Sequence, residues 1–364
     1  MQLREGRIGK QETASAVFLA STVSGLFAVQ SAAYYRNGNS SYFSTILAAL
    51  ISLLLFSVIL FTMAGARIPN LAALYQRGYG PVFSGPASLL TSLALSYFAA
   101  LPMIRMLIVL LRNIFLESPM QNIAGYFLLS VFVLVAFGLE TIGRTAKLFV
   151  GVFFLSLVAA VWLSAPSFET FRLYPLLGNG MGDAVLLGVT GINCFFPALL
   201  SLLILLRGVQ GPESASASAA LGGLSGGAVT GATQLCLGMV YTSPMLARMH
   251  APLYRLTMAV RTGGVHLRTD KLLFFLWTMG GMIAGAFYTF AGALLYTEGT
   301  GMRDIRPVGA AFSLLTGGWV LLGVMNGAAF ERFAEWMNAY GWLILTAPPL
   351  LGAVLTRCRR RKAT

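Results

Sequence analysis

Long apolar runs, separated by short segments that hold most of the charged residues, are the feature that most constrains the fold of this sequence. Only 10% of the 364 residues are charged and 57% are hydrophobic, whereas an ordinary soluble domain is about a quarter charged. A helix needs roughly twenty apolar residues to cross the hydrocarbon core of a bilayer. The pattern therefore predicts an all-α polytopic membrane protein with a single transmembrane domain over residues 1–364.

Counting each apolar run of roughly twenty residues as one helix predicts about ten transmembrane helices. The predicted spans are approximately 13–34, 42–66, 87–111, 123–140, 146–165, 184–206, 219–243, 271–297, 308–328 and 340–356. The first run lacks the short apolar region and small-residue cleavage site of a signal peptide, so we expect it to remain in the mature protein. Residues 1–12 then form the N-terminal segment, and residues 357–364 form a basic tail.

The positions of Lys and Arg predict the orientation, because cytoplasmic loops are enriched in these residues. With the N-terminus inside, most basic residues fall on the cytoplasmic side, and both termini are predicted to be cytoplasmic. The segment 244–270 departs from this rule, because basic residues at and beside it would be external: Arg248, Arg255, Arg261, Arg268 and Lys271. Either the number of preceding spans is off by one, or this segment folds on the membrane surface. We favour a folded surface segment whose apolar residues lie between the arginines, namely Leu253, Leu256 and Val260.

Small and helix-breaking residues near the middle of spans one and six predict that both helices are discontinuous. Span one contains the segment Ser21–Gly25, and span six contains the segment Gly188–Pro197. The two segments are five spans apart, as in a five-plus-five inverted repeat whose first and sixth helices unwind to line a midplane site. Glycine and proline are also common in membrane helices without such a role, which is the alternative interpretation.

The unpaired peptide groups at such breaks suit a zwitterionic ligand. A half-helix N-terminus holds a carboxylate, and carbonyl groups at a half-helix C-terminus hold an ammonium group. The predicted ligand-binding residues are Thr22, Ser24, Gly25, Thr190, Gly191, Asn193 and Phe195. The rings of Phe195 and Phe196 either wall an apolar part of the ligand, or pack in the core or against lipid.

Arg105 is the most unexpected charge inside an apolar run, which makes it a functional-site hypothesis. Its guanidinium is predicted to contact a ligand carboxylate or Glu117, or to extend to the headgroups at the outer end of span three. No Asp or Glu lies near the centre of any predicted span. Proton symport therefore has no obvious carboxylate, whereas sodium coordination by carbonyl and hydroxyl oxygens stays open.

Composition and motifs also argue against several classes of protein. The net charge of +13 is spread over short loops and the tail, so we expect contact with membrane lipid and no nucleic acid. The two histidines and three cysteines are not spaced as metal ligands, and no cofactor is expected. No HExxH motif or nucleophile–base–acid set occurs, so we do not expect an enzyme.

Five short motifs, in this order along the chain, carry a resemblance to a known family. They are Ile8–Gln11, Gly138–Arg144, Ala251–Leu256, Arg268–Trp277 and Asp304–Pro307. In these motifs and over essentially its whole length, the chain resembles the spore germination permease family. That family supplies the B subunit of spore germinant receptors and belongs to the amino acid–polyamine–organocation superfamily.

The resemblance implies a LeuT-like fold of ten helices with inverted repeats, located in the inner spore membrane. It also implies assembly with an A-type and a C-type receptor subunit, and a small germinant as ligand, commonly an amino acid. The expected function is that of a sensor, in which the ligand shifts the protein between states and so signals to its partners. A secondary amino-acid transporter coupled to protons or sodium and a ligand-free structural subunit are the alternatives.

Overall fold

The computed structural model describes residues 7–27, 38–249, 251–258 and 270–363. Almost all of them are helical, and the β-type pairing in these ranges is a single bridge between Ile8 and Val209. The α-helices are α1 Lys10–Phe27, α2 Ser41–Gly65, α3 Leu71–Asn113, α4 Met120–Phe137, α5 Leu139–Ser164, α6 Met181–Thr190, α7 Ile192–Ile204, α8 Pro212–Val240, α9 Ser243–Arg248, α10 Pro252–Met258, α11 Asp270–Thr300, α12 Ile305–Met325 and α13 Gly327–Ala363. Short 3-10 helices occur at Gly38–Ser40, Ala165–Ser167, Thr170–Leu173 and Leu205–Gly208.

Eight stretches of the described helices are long and apolar enough to cross a membrane. They are Gly38–Gly65, Leu71–Asn113, Met120–Phe137, Leu139–Ser167, Met181–Gly208, Asp270–Thr300, Ile305–Met325 and Gly327–Arg359. The prediction of an all-α polytopic membrane fold is confirmed, whereas the count of ten spans is not exactly confirmed. The two predicted spans outside this set are spans one and seven, which correspond to α1 and α8.

Helices α1 and α8 pack against each other inside the bundle. Every residue of α1 from Ser15 to Phe27 is buried, and α8 contacts both α1 and α2. Helices in a membrane associate closely when small residues line their contact, and their side chains then meet protein rather than lipid. The small and polar residues of α8 therefore fit its position between α1 and α2.

Glycines on two sides of α8 let α1 and α2 approach closely. A Cβ atom on Gly226 would lie 2.2 Å from Ser21 Oγ of α1, and one on Gly227 would lie 2.4 Å from Ala49 Cβ of α2. Neither distance leaves room for a side chain, so these contacts require glycine. Helix α8 thus acts as a spacer that sets the separation of α1 and α2.

Helix α3 consists of two helices that meet at a kink. Gly80 has φ 81° and ψ −179°, a backbone conformation that essentially only glycine adopts. Pro81 follows, where the missing N–H of a first helical turn costs nothing. The short first part, residues 71–79, is held against α13, because Tyr79 Oη donates to Pro348 O at 2.7 Å.

The predicted break in span one is wrong within the described residues. Helix α1 runs without interruption through Ser21–Gly25 and as far as Phe27, the last described residue of this part of the chain. Polar side chains do not unwind it, because a serine hydroxyl can bond a carbonyl one turn earlier, as Ser21 Oγ does with Val17 O at 2.7 Å. Residues 28–34, the remainder of the predicted span, lie outside the described residues.

Span six is interrupted as predicted. Helix α6 ends at Thr190 and α7 begins at Ile192, so Gly191 separates them. Pro197 lies inside α7 and has no N–H, so the carbonyl of Asn193 cannot receive the usual helical hydrogen bond from four residues later. The interruption and the proline together leave polar backbone groups in this part of the bundle.

The described part of the segment between α8 and α11 is folded, as favoured above, but Leu253 and Leu256 are not on a surface. Helices α9 and α10 lie here, and α10 packs against α5, α8 and α11. Leu253 and Leu256 are each 1% exposed and are therefore buried against protein. This corrects the expectation that they face the membrane surface. Val260, Arg261 and Arg268 lie outside the described residues.

A connected series of contacts places both ends of the described chain on one face of the bundle, called here the terminal face. The contacts are Ile8 N to Gly208 O (2.9 Å), Arg207 Nη1 to Glu298 Oε1 (3.2 Å), Gln76 Nε2 to Glu298 O (3.3 Å) and Arg359 Nη1 to Arg77 O (3.0 Å). The terminal face therefore carries many of the basic residues that the sequence analysis grouped on one side.

Candidate ligand-binding site

The segments predicted to break in spans one and six meet at a glycine and a ring. A Cβ atom on Gly25 would lie 3.3 Å from Phe195 Cζ, and 2.8 Å from Thr230 Cγ2 of α8. Phe195 forms a small buried cluster with Ala48, Ala49 and Cys194. Its ring therefore packs inside the protein and does not face lipid. Phe196 is also fully buried.

Ser24 meets a tyrosine that the sequence analysis did not single out. Tyr288 Oη of α11 lies 3.0 Å from Ser24 Oγ, and it donates to Ala20 O at 3.0 Å. Because the phenol has one proton and gives it to Ala20 O, the Ser24 hydroxyl is the donor in the other bond. Tyr288 is buried, so a hydrogen-bonded pair joins α1 to α11 in the interior.

Asn193 links α7 to α13 through its amide nitrogen. Asn193 Nδ2 donates to Met337 O at 3.1 Å and to Asn338 O at 3.0 Å. Asn193 Oδ1 and Asn338 Oδ1 are both buried and accept no hydrogen bond from the described residues. A buried acceptor without a donor costs about 1–3 kcal/mol, so this place favours a ligand that brings N–H groups.

A third buried polar atom without a partner lies on α3. Tyr97 Oη accepts and donates no hydrogen bond among the described residues. Its ring contacts Phe98 of the same helix at 5.2 Å between centroids and Phe333 of α13 at 5.3 Å. Phe98 in turn reaches the neighbourhood of Asn193, since both lie within 3.2 Å of a Cβ built on Gly341. We call Tyr97, Asn193 and Asn338 the polar cluster.

Aromatic rings extend from the polar cluster along the contact between α12 and α13. Trp319 stacks on Phe333 with 5.4 Å between centroids and 6° between planes, and Phe333 stacks on Trp336. Trp319 also meets Tyr97 edge to face at 5.7 Å. Phe333 and Trp336 are 36% and 49% exposed, so the outer part of this row of rings faces the surroundings of the bundle and only its inner end adjoins the polar cluster.

Arg105 forms an ion pair that the sequence analysis did not predict. Its Nη2 lies 2.9 Å from Glu331 Oε2, and its Nη1 contacts the other carboxylate oxygen. The predicted contact with Glu117 is wrong in this structure, because Glu331 takes both arms of the guanidinium. Glu331 lies two positions before Phe333 on α13, so the pair lies beside the aromatic rings.

The remaining predicted site residues make other contacts. Thr190 Oγ1 donates to Leu187 O within its own helix at 3.3 Å, and a Cβ on Gly191 would lie 2.9 Å from Ala48 Cβ of α2. Thr22 Oγ1 is buried without a partner at the contact of α1 with α8. The structure thus joins Gly25 to Phe195 and Ser24 to Tyr288, and it places Gly191 against Ala48, which also packs with Phe195.

Two ion pairs lie at opposite ends of the bundle, and the polar cluster lies between them. Arg207 and Glu298 pair on the terminal face, and Asn70 donates to the same carboxylate. Arg105 is 24 positions beyond Pro81 along the long part of α3, which corresponds to about 36 Å at 1.5 Å per residue. Asn338 is seven positions from Glu331 on α13, so the polar cluster lies about 10 Å inward from the Arg105 pair.

A metal site would require several ligating side chains close together. In residues 7–27, 38–249, 251–258 and 270–363, no three His, Cys, Asp or Glu side chains come together as a metal site would require.

The fold is that of membrane transporters. A Na⁺-coupled sialic acid symporter, solved in a substrate-bound outward-open state, has a TM-score of 0.70 to this chain at 10% identity, covering 96% of this chain and 79% of the symporter. A mutant of the Eremococcus coleocola manganese transporter gives a TM-score of 0.57 at 15% identity, with 95% and 76% covered. The same transporter bound to an aromatic bis-isothiourea compound gives 0.54 at 15% identity, with 94% and 76% covered. Identities this low establish the fold alone.

The fold and its buried polar groups thus define an integral membrane protein of the permease class with a LeuT-like architecture. The sequence pattern of the family described as spore germination protein matches residues 7–302, and the chain belongs to that family. Among curated protein sequences, nothing matches this chain. The resemblance noted from the five motifs is therefore confirmed.

Proposed function

We propose that this chain is the membrane subunit of a spore germinant receptor that binds a small nutrient germinant, an amino acid, and signals to A-type and C-type partner subunits. It lies in the inner spore membrane, and the terminal face is on the cytoplasmic side. The family supports the germination role, and the shared transporter fold supports a small-molecule site inside the bundle.

The observation that carries the proposal is the polar cluster. Asn193 Oδ1 and Asn338 Oδ1 are acceptors without donors, and the Asn193 carbonyl is deprived of its helical partner by Pro197. An α-ammonium group carries three N–H donors and so matches such a set of acceptors. The buried rings of Tyr97 and Phe98 on α3 provide the apolar wall that an amino-acid side chain requires.

The guanidinium of Arg105 receives the ligand carboxylate at the outer end of the site, before the ligand reaches the polar cluster, because the distance of about 10 Å between them exceeds the separation of the two charged groups in one α-amino acid. A ligand carboxylate competes with Glu331 for the planar pair of donors, since carboxylates bind guanidinium in the same bidentate way. Exchange of Glu331 for the ligand frees α13 from α3 at this end of the bundle. The ligand then binds one arrangement of α13 more tightly than the other, which is what a sensor needs.

Asn338→Ala tests the site, because it is expected to weaken ligand binding without lowering the melting temperature. The chain is purified with its A-type and C-type partners, and a panel of tritiated L-amino acids is tested for binding. Removing an acceptor that has no donor leaves the melting temperature unchanged or raises it. Loss of a hydrogen bond to a charged ammonium group weakens the affinity of the amino acid that binds by about tenfold.

Asn113→Ala is the matched control. Asn113 Nδ2 donates to Val109 O near the end of α3, away from the polar cluster, and its loss leaves the affinity within about twofold of wild type. Wild-type affinity in Asn338→Ala, or no amino-acid binding by the wild-type complex, contradicts the proposed site. A normal germination response of spores carrying Asn338→Ala contradicts it as well, and it favours a structural subunit.

A secondary transporter of amino acids is the second candidate, supported by the fold shared with a Na⁺-coupled symporter. Tritiated amino acid is offered to proteoliposomes that contain this chain alone. Accumulation that depends on an imposed sodium or proton gradient, and that an ionophore abolishes, establishes transport. Binding without accumulation supports the receptor.

A further inference from the structure

Three arginines from distant parts of the chain line one cleft on the terminal face. The cleft has a volume of about 570 Å³ and is lined by Gly65, Ala66, Arg67, Arg77, Thr356 and Arg359. These residues come from the end of α2, the short first part of α3 and the last turns of α13. No carboxylate is among the lining residues. We call this feature the arginine cleft.

The end of α2 explains how the arginine cleft is built. Arg67 has φ 50°, and the bonds from Arg67 N to Ala64 O at 3.1 Å and from Ile68 N to Met63 O at 2.8 Å form the Schellman motif of a helix end. The motif turns the chain sharply, so that Arg67 projects from the end of α2. The last carbonyls of a helix lack helical partners, and Arg77 Nη1 donates to one of them, Ala66 O, at 2.9 Å.

Most of the guanidinium N–H groups in the arginine cleft make no hydrogen bond within the described residues. Arg77 uses one N–H for Ala66 O, and Arg359 uses one for Arg77 O at 3.0 Å, while each guanidinium has five N–H groups. None of the three arginines pairs with a carboxylate in the described ranges, although other arginines do, namely Arg105, Arg144, Arg172 and Arg207. One cation is enough to interact with the dipole at the C-terminal end of α2. The other two positive charges of the arginine cleft are not needed for that interaction.

Exposed apolar residues lie directly beside the arginine cleft. Phe61 of α2 is 73% exposed, Val82 of α3 is 72% exposed and Val354 of α13 is 56% exposed. In a membrane bundle such residues face lipid chains. Arg67 follows Phe61 by six positions, Arg359 follows Val354 by five, and Arg77 precedes Val82 by five across the kink, so we place the arginines at the depth of the lipid headgroups.

We propose that the arginine cleft is a binding site for the phosphate of an anionic phospholipid in the leaflet that borders the terminal face. Guanidinium groups bind phosphate oxygens through paired, charge-assisted hydrogen bonds. The bound phosphate joins three segments, α2, the short first part of α3 and α13. Arg359 also adjoins the kink, since its Nη2 lies 3.7 Å from a Cβ built on Gly80, so the lipid fixes the angle between the two parts of α3.

The test measures thermal stabilisation of the detergent-purified full chain by soluble short-chain lipids at constant ionic strength. The probes are dioctanoyl phosphatidylglycerol, dioctanoyl phosphatidylcholine and inorganic phosphate. Phosphatidylglycerol raises the melting temperature in a saturable way, phosphatidylcholine does not, and inorganic phosphate needs at least about a hundredfold higher concentration because it has no acyl chains to bury. Saturation by inorganic phosphate at the same concentration overturns the lipid assignment.

Charge-matched variants separate a built site from general attraction. Arg77→Gln with Arg359→Gln weakens the apparent affinity for phosphatidylglycerol at least about tenfold. Arg303→Gln with Arg306→Gln, which removes one charge from the loop after α11 and one from the first turn of α12, leaves it within about twofold. Equal losses in the two double variants overturn the proposal.

Arg67→Gln keeps the test decisive if the double variant does not fold. The Arg67 side chain makes no hydrogen bond or ion pair within the described residues, so its replacement spares the fold. It still removes one of the three positive charges, and the apparent affinity for phosphatidylglycerol falls about threefold to tenfold. Unchanged affinity in a folded Arg67→Gln variant counts against the site.

Discussion

Arg105 of α3 and Glu331 of α13, which are 226 positions apart, are joined by two parallel hydrogen bonds between guanidinium and carboxylate. Both oxygens of Glu331 take part, one for each terminal nitrogen of Arg105. This geometry fixes the orientation of two helices as well as their distance, which a lysine cannot do. The pair therefore acts as a clasp between α3 and α13 at the end of the bundle opposite the terminal face.

Glu331→Gln opens this clasp with little loss of stability. The Arg105 and Glu331 side chains are 29% and 46% exposed, so water and headgroups screen the pair, and we expect a loss of less than about 1 kcal/mol in the free energy of unfolding. On the proposed function, the ligand carboxylate no longer competes with Glu331 for Arg105, so the affinity for the amino acid rises by up to about fivefold, the factor that corresponds to 1 kcal/mol. Equilibrium binding of the tritiated amino acid measures it. Glu335→Gln, one turn further along α13, is the control and leaves the affinity unchanged.

Two buried tyrosines are expected to respond oppositely to loss of their hydroxyl. Tyr288→Phe removes the bonds to Ser24 and Ala20 O and lowers stability by about 1–2 kcal/mol. Tyr97→Phe removes a hydroxyl that has no partner and leaves the melting temperature unchanged or raises it. Thermal unfolding of both variants in the same detergent gives the comparison. A clear drop for Tyr97→Phe contradicts the assignment of its hydroxyl to a ligand site.

Gly25→Ala tests the close contact of α1 with α7 and α8. The new methyl group lies 2.8 Å from Thr230 Cγ2 and 3.3 Å from Phe195 Cζ, so the helices must separate, at a cost of about 1–3 kcal/mol. Thr230→Ala removes the nearest atoms, and the double variant recovers part of the loss. A double-mutant cycle measures this coupling. Gly318→Ala, where nothing lies within 4 Å, is the control, and additive single effects of Gly25→Ala and Thr230→Ala contradict the contact.

Gly80→Ala is expected to destabilise the kink of α3. The values φ 81° and ψ −179° are costly for any residue with a Cβ, by about 1–3 kcal/mol. The change weakens the hold of residues 71–79 on α13, which limited proteolysis detects as faster cleavage near the kink. Gly85→Ala is the matched control, since Gly85 is in the helix five residues later and a Cβ there only touches Gly299 O at 3.9 Å. Equal melting temperatures for the two variants contradict the role of Gly80.

Hydropathy and basic loops predicted much of the fold, because each span must be long and apolar enough to cross the bilayer, whatever its neighbours are. The kink at Gly80 and the helix of residues 71–79 were missed, since that helix is too short and too polar to register as a span. The interruption at Gly191 was found, because a small residue within an apolar run is a local signal. The continuous helix through Ser21–Gly25 was not, because serines can bond their own helix instead of unwinding it.

The candidate site was predicted less well, because it depends on partners that are distant in sequence. Glu331 and Asn338 fall between predicted spans nine and ten, where polar residues are expected, whereas both lie on the first half of α13. Tyr288 carries no charge, but a phenol in an apolar run is an equally strong signal of a buried hydrogen bond. Whether a buried acceptor lacks a donor can be seen only in the folded structure, where all of its neighbours are known.

The enclosure of α1 has a consequence for the biosynthesis of this protein. Every residue of α1 from Ser15 to Phe27 is buried against protein, so its serine and threonine side chains reach their final neighbours only when the surrounding helices are in place. The glycines of α8 that contact it belong to a segment synthesised about two hundred residues later. The packing of the first helix is therefore completed only with the second half of the chain, so the two halves must fold together rather than in succession.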